Sequence, residues 1–509
     1  MEGDRPLKLT RRQVAPALIG LTLKADQPLK GGFALEAQDR GHQIRDRAAT
    51  PATKRTIRIP AVIVGGGISG LSAAWWFRRA RFTDFVLLEM ESETGGNARA
   101  GENEITPFPW AAHYLPLPAN DSIYVRLLCE EFGLLKDGVW DERWLCHSPQ
   151  ERLFLHGRWQ EGIEPHIGLT KEDAAQFDRF FSRVAELRHS GAFTLPMDPG
   201  LRRSKPAHLA LDRLTLSGWM RKEGLYSPYL RWLVDYSTRD DYATGADAVS
   251  AWAGLHYFAA RDSEEHGPLT WPEGNAWIAR RLTQTVSSHI RTGAMVSRVE
   301  RTGSFWRVHA GDTLYETDYV IWAAPTWLAR WTVSPPPRAL PMESAPWLVA
   351  NLTMSRWPAE KGLPPAWDNV IYGSPALGYV VATHQSLKTH IPRTVWTYYW
   401  AMSQGAALDQ RRILLGGDWR YWCERIFADL QRAHPDIRSC VERIDIFRIG
   451  HAMPRPAPGF LTHPDRLALL KPSNNLAFAN TDLSGLSLFE EAQYRGVEAA
   501  RAALSTLGR

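Results

Sequence analysis

The apolar positions of this chain follow two rhythms. Residues 59–64 (IPAVIV) are a short, mostly β-branched run stopped by Gly65, the pattern of a buried parallel strand. Over 69–81 the period lengthens: Leu71, Ala74 and Trp75 recur at helical spacing, and Arg78, Arg79 and Arg81 sit where basic side chains favour a helix C-terminus. Residues 85–89 (FVLLE) return to a strand pattern, so this stretch reads as a β-α-β unit. From about 116 to 265 the spacing predicts mostly helices and loops, with amphipathic helices over 122–135 and 172–190. A further helix is expected over 274–288 and strands over 298–324. Residues 345–402 are strand-rich, including 379–382 and 394–400; a last strand covers 476–478 and a last helix 487–506. Residues 1–54 lack strong periodicity and read as an N-terminal arm.

The turn between the first strand and helix is Gly65-Gly66-Gly67-Ile68-Ser69-Gly70. Gly65 permits a tight turn, Gly67 lets the backbone approach a pyrophosphate, and Gly70 lets helix and strand pack closely. The helix N-terminus offers unpaired N–H groups and the positive end of its dipole. Glu89, closing the second strand, is placed to accept hydrogen bonds from a ribose hydroxyl. The prediction is an α/β fold with a Rossmann-type dinucleotide site, compatible at this point with NAD or FAD.

The next motif is Glu93-Thr94-Gly95-Gly96-Asn97-Ala98-Arg99, which resembles the second glycine pair of the flavin-containing amine oxidase superfamily. That superfamily also contains protoporphyrinogen oxidases and carotenoid-type desaturases. The resemblance implies that Gly95 and Gly96 let the chain pass close to the FAD phosphates and that Asn97 and Arg99 belong to the same cradle. Residues 269–276 (LTWPEGNA) look like its P-x-G-G segment, with Asn275 in place of the second glycine. Residues 319–325 (YVIWAAP) look like the strand ending near the flavin, which brings in Ala324. Asn480-Thr481-Asp482-Leu483-Ser484-Gly485 is similar to the C-terminal flavin motif, where Asp482 would hold the ribityl chain and Leu483 and Ser484 its surroundings. Val296 matches the backbone site for adenine, and Trp110 the chain beside the isoalloxazine. The resemblance implies a GR2-like FAD-binding domain with an inserted α+β substrate domain. The expected division is 55–115, 266–333 and 441–509 for FAD, and 116–265 and 334–440 for substrate, with Ser334-Pro335-Pro336-Pro337 at a boundary. A narrower resemblance, to spermidine dehydrogenase-like FAD proteins, rests on 16–21 (PALIGL) and 41–46 (GHQIRD).

The implied reaction is hydride transfer from substrate to flavin N5, most simply from the carbon beside an amine nitrogen, with a polyamine as one candidate substrate. Such chemistry needs a neutral amine, a carbon held close to N5 and a site without water, but no metal and no protein nucleophile. His113 lies where it could polarise the flavin or take a proton. Trp396, Tyr398 and Trp400 alternate on a predicted strand and could form an aromatic face for an amine. Many members of the superfamily hold a water against N5 with a lysine, and Lys388 is the candidate here. Asp235, Asp240 and Asp241 could receive a distal ammonium; His451 and Arg455 could reach the site. Two other readings stay open: oxidation or desaturation of an apolar polyene or porphyrinogen-like substrate, and a non-catalytic flavoprotein subunit. Oxygen, a quinone or a redox protein remains open as electron acceptor, and so does a homo-oligomer.

Composition narrows this picture. A formal charge of +5 on 60 basic and 55 acidic residues, without a dense basic block, argues against nucleic acid as a partner. Cys129, Cys146, Cys423 and Cys440 are too scattered for a zinc site and read as buried thiols. No run is long and apolar enough for a membrane span. Thr10-Arg11-Arg12-Gln13-Val14 is similar to a twin-arginine export signal, but Pro16 and Gly20 interrupt the apolar run after it. The expectation is a cytoplasmic protein, with a periplasmic location as the alternative.

Overall fold

The computed structural model describes residues 28–35, 38–46, 52–261, 267–360 and 362–509. The twin-arginine-like segment and the 16–21 motif lie outside them. Strand Arg55–Val64 stands inside a mostly parallel sheet, with Ala61, Val62 and Ile63 fully buried as a strand covered on both faces requires. It pairs in parallel with Phe85–Leu88 (Val64 beside Leu88) and with Thr313–Trp322 (Val64 beside Trp322). Leu476–Phe478 adds on the far side of Thr313–Trp322, with Trp322 beside Phe478. The C-terminal ends of four strands therefore lie level, and in open α/β sheets that edge is where ligands bind. The expected strands within 298–324 resolve into a meander, Val296–Thr302, Phe305–Ala310 and Thr313–Trp322.

Helix Ile68–Arg79 leaves the first strand at the glycine turn and packs against the last helix, Phe489–Thr506. A glycine permits each of these contacts, Gly70 the one with the turn and Gly496 the one between the helices. A Cβ at Gly70 would fall on the carbonyl oxygen of Gly65, and one at Gly496 on that of Ser69. The last helix begins two residues later than its apolar pattern predicts, which leaves Ser487 and Leu488 as irregular backbone at the sheet edge.

A second sheet runs in the order Lys30–Ala34, Val441–Pro454, Ser344–Met354, Thr394–Ala401, Gly378–Val381, Asp368–Ile371, Glu151–Leu155, Arg158–Glu161. Three of these strands correct the sequence reading. Lys30–Ala34, expected as part of an arm, pairs in parallel with Val441–Pro454. Val441–Pro454, expected with the dinucleotide unit, is an interior strand of this second sheet, paired on both edges. Glu151–Leu155 and Arg158–Glu161 form a hairpin inside a region expected to be helical; the charged Glu151 and Arg152 at the start of the first strand and Arg158 and Glu161 at the ends of the second hide the alternation. One face of this sheet is covered by Ala407–Gly416 and Trp419–Leu430. A helical cluster including Lys171–His189, Leu216–Lys222, Pro228–Tyr242 and Ala251–Ala259 forms its own apolar core. Thr170 and Asp173 start the first of these as a reciprocal capping box. All four cysteines are buried. Among the described residues no helix is long and apolar enough to cross a membrane, and no group of three or more His, Cys, Asp or Glu could hold a metal ion.

Candidate functional site

At the level ends of the four strands opens a cavity of about 390 Å³. Gly65, at φ +103°, turns the chain off the first strand into it, a conformation open to glycine at little cost. Gly67 follows as the N-cap of the helix, with no side chain capping the first turn and open space where a Cβ would stand. Ile68 and Ser69 line the same wall, so the helix N-terminus presents free N–H donors to the cavity. The last helix does likewise: its N-cap, Leu488, provides no side-chain cap, and Leu488 and Phe489 line the cavity. Two uncapped helix starts and a cradle that a Cβ would fill fit an anionic dinucleotide.

The second glycine pair lies directly beside the first loop. The Gly95 amide donates to the Gly66 carbonyl at 2.8 Å, and Gly67 bridges to Gly95. Glu89 accepts from the Gly66 amide at 2.6 Å and from the Glu91 amide at 2.8 Å, so both carboxylate oxygens are anchored. Burial pushes its pKa up against the pull of those amides. Arg99 lines the cavity, donating to the Gly96 carbonyl at 3.0 Å with its guanidinium over the Phe447 ring. Asn97, Val296, Ala324 and Asp482 also line it, and Asp482 accepts from the Thr326 amide at 2.8 Å.

Beyond a wall that includes Asn97, Ala112, Asn275 and Phe489 lies an inner chamber of about 140 Å³, lined by His113, Trp347, Tyr399, Asp240, Asp241 and Glu490. An outer chamber of about 140 Å³ shares His113, Tyr399 and Asp240 with it and adds Glu151, Asp368 and Arg261. His113 stacks on Tyr399 at 4.7 Å between ring centroids, and burial lowers its pKa to about 4, which keeps it neutral near pH 7. Asp241 is paired with Arg261 at 2.6 Å. No hydrogen bond or ion pair from the described residues reaches Asp240, and the Oε2 of Glu490 is buried without a partner. Burial raises Asp240 to about 7, helped by the charge of Asp241, and burial raises Glu490 to about 7. Asp368 is pushed well above the usual carboxylate range by burial and by the charges of Glu151 and Asp240.

Several expected site residues stand elsewhere. Trp396 and Tyr398 point away from both chambers, into the core under the covering helices. Trp396 stacks on Tyr379 at 3.9 Å, and the Tyr398 hydroxyl donates to Asp429 at 2.9 Å. The residue between Tyr398 and Trp400, Tyr399, is the one that faces the chambers. Lys388 is exposed and lines none of these cavities; among the described residues no lysine does. Asp235 pairs with Arg239 and accepts from the Ala246 amide, while Arg455 is spent on the carbonyls of Ala243, Met402 and Gly405. His451 lines the larger cavity, its ring tilted against Trp327 at 4.2 Å between centroids. Gly70, Trp110, Leu483 and Ser484 are set back from it: Gly70 under the turn, Trp110 against Phe447, the Leu483 carbonyl on Arg466 and the Ser484 hydroxyl on Glu491. Glu151, Trp347, Asp368 and Glu490 carried no sequence signal, being single residues far apart in the chain.

Residues 63–132 match the family described as NAD(P)-binding Rossmann-like domain. No protein of curated function matches the chain by sequence. Among solved structures, wild-type putrescine oxidase bound to putrescine has a TM-score of 0.68 at 15% identity, over 89% of this chain and 100% of that one. Cyclohexylamine oxidase from Brevibacterium oxydans IH-35A gives 0.65 at 16% identity, over 89% and 100%. A CLA-producing fatty acid isomerase from P. acnes gives 0.59 at 13% identity, over 87% and 98%. The chain thus has the fold of the flavin amine oxidase structures: a Rossmann-like dinucleotide unit joined to a second mixed sheet.

Proposed function

We propose that this protein is an FAD-dependent oxidoreductase that oxidises amines, with di- and polyamines as the favoured class. The observation that carries the reading is the pair of chambers behind the dinucleotide cavity, where, among the described residues, the carboxyl groups of Asp240, Asp241, Asp368 and Glu490 meet Arg261 between aromatic walls, with Glu151 lining the outer chamber. So much buried negative charge is costly unless a cation or protons neutralise it. An apolar polyene offers these buried carboxyl groups no hydrogen-bond partner, whereas an amine supplies N–H donors and a positive charge, which favours an amine over that alternative.

Bound FAD supplies the two-electron acceptor that takes a hydride at N5. Glu89, the two glycine turns, Arg99 and Asp482 are the residues that would hold it. Asp240 and Glu490 attract the substrate ammonium, and a carboxylate with a pKa near 7 can take its proton, leaving the neutral amine that hydride loss requires. His113 and Tyr399 form a stacked wall that confines the amine and excludes water. Purified protein is expected to be yellow, to release FAD on heating and to bleach anaerobically with a di- or polyamine. Bleaching by polyenes or porphyrinogens instead would select the apolar reading. A flavin reduced only by chemical reductants, in a protein that co-purifies with a stable partner, would select the non-catalytic one.

A further inference from the structure

We infer that Asn275 is the residue that orients the reacting nitrogen, by accepting a hydrogen bond from its N–H. This deepens the amine-oxidising reading and rests on it. Asn275 is 3% exposed and belongs to the wall common to the dinucleotide cavity and the inner chamber, where cofactor and substrate have to meet. Its Nδ2 donates to the Tyr114 carbonyl at 2.8 Å, whereas its Oδ1 is buried with no donor. The amide cannot turn over, because the reversed group would set oxygen against oxygen at Tyr114.

The surroundings fix the side chain further. The Asn275 amide donates to the Ala112 carbonyl at 3.1 Å, and Thr270 Oγ1 donates to the His113 carbonyl at 3.1 Å. Three consecutive carbonyls, 112 to 114, are therefore tied to the 270–275 segment. Gly274 permits the contact: it sits at φ +62°, and a Cβ there would lie 2.7 Å from both the Ala112 oxygen and the His113 Cα. A rigid acceptor left without a donor costs the fold stability unless a ligand supplies one.

A neutral primary or secondary amine has the missing donor. With one N–H held by Oδ1, rotation about the carbon–nitrogen bond is restricted and the lone pair stays free. As the C–H electron pair leaves with its hydrogen as hydride, that lone pair forms the C=N bond and nitrogen becomes positive. The N–H is then a stronger donor, so the bond to Oδ1 tightens toward the transition state and acts on the rate more than on binding.

The test is anaerobic stopped-flow reduction of the holoenzyme by a primary amine substrate and by its N,N-dimethyl analogue, which as the neutral amine has no N–H at the reacting nitrogen. Asn275→Ala is expected to slow the limiting reduction rate with the primary amine by on the order of 10²-fold. The dimethyl analogue should change by no more than about twofold. Asn275→Gly, which has no side-chain acceptor, should behave on both amines as Asn275→Ala does. The flavin reduction potential and the melting temperature are read on each variant. Equal losses on both amines, or a loss that tracks melting temperature, would overturn the assignment in favour of a structural role. A shifted potential with no dependence on the amine N–H would overturn it in favour of a contact to the cofactor. Failure of every amine to reduce the wild-type flavin would sink the amine reading itself, and this assignment with it.

Discussion

At the scale of single residues, the site turns on where carboxylates keep their protons. Asp240 and Glu490 are raised to about 7 in the folded protein, against an unfolded value near 4. Between those values the folded state holds protons that the unfolded chain has released. Stability therefore falls as pH rises from about 4 to about 7 and levels off above it. Glu490→Gln is expected to flatten that decline, measured as the denaturation midpoint of the cofactor-free protein across pH; an unchanged slope would show that Glu490 is ionised throughout. An arriving ammonium favours the ionised form, so amine binding near pH 7 should release protons, visible as a buffer-dependent heat in calorimetry, and Asp240→Asn should diminish it. His113, lowered to about 4, should set no limb of the pH–rate profile near neutrality. His113→Asn should lower stability by about 1 kcal/mol through the lost stack on Tyr399, leaving the profile in place.

At the scale of elements, the contact between the first and last helices of the dinucleotide unit is closed by Gly496 lying on Ser69. Gly496→Ala should cost on the order of 2–4 kcal/mol in denaturant unfolding and lower cofactor retention, because both helix starts line the cavity. The short helix Gln38–Arg45 has a comparable hold. Ile44 is buried on the cavity wall, and Arg40 donates to the Met90 carbonyl at 3.0 Å. Ile44→Asp should release bound cofactor, read as the ratio of flavin to protein absorbance after gel filtration; an unchanged ratio would remove that helix from the site.

At the scale of the whole molecule, the cavity is walled by both sheets: Val64 and Trp322 from the first, Phe447 and Ile449 from the second. A cofactor held there joins them. At a hundredfold excess over its dissociation constant it adds about 2.7 kcal/mol of stability. Calorimetry should show one unfolding transition for the loaded protein and an earlier or divided one after the cofactor is removed. A single transition at the same temperature in both states would show that the sheets are coupled without it.

The sequence by itself determined the dinucleotide cradle. Its information is local: glycines at fixed spacing, a strand before them, a helix after them and Glu89 at the next strand end all lie within one short stretch. It also marked the segments at Gly95, Asn275 and Asp482 that the fold gathers around the cavity. Tertiary structure alone decided the chambers. Strand Thr394–Ala401 is buried on both faces, so its alternation had no polar side to set the phase, and only packing against Trp419–Leu430 turned Trp396 and Tyr398 inward and left Tyr399 facing the cavity. The five carboxylates come from a hairpin, a helix end, a sheet strand and the start of the last helix. Each reads alone as an ordinary charged residue. Only the fold brings them into one buried space, where their mutual repulsion and loss of water change what they can bind.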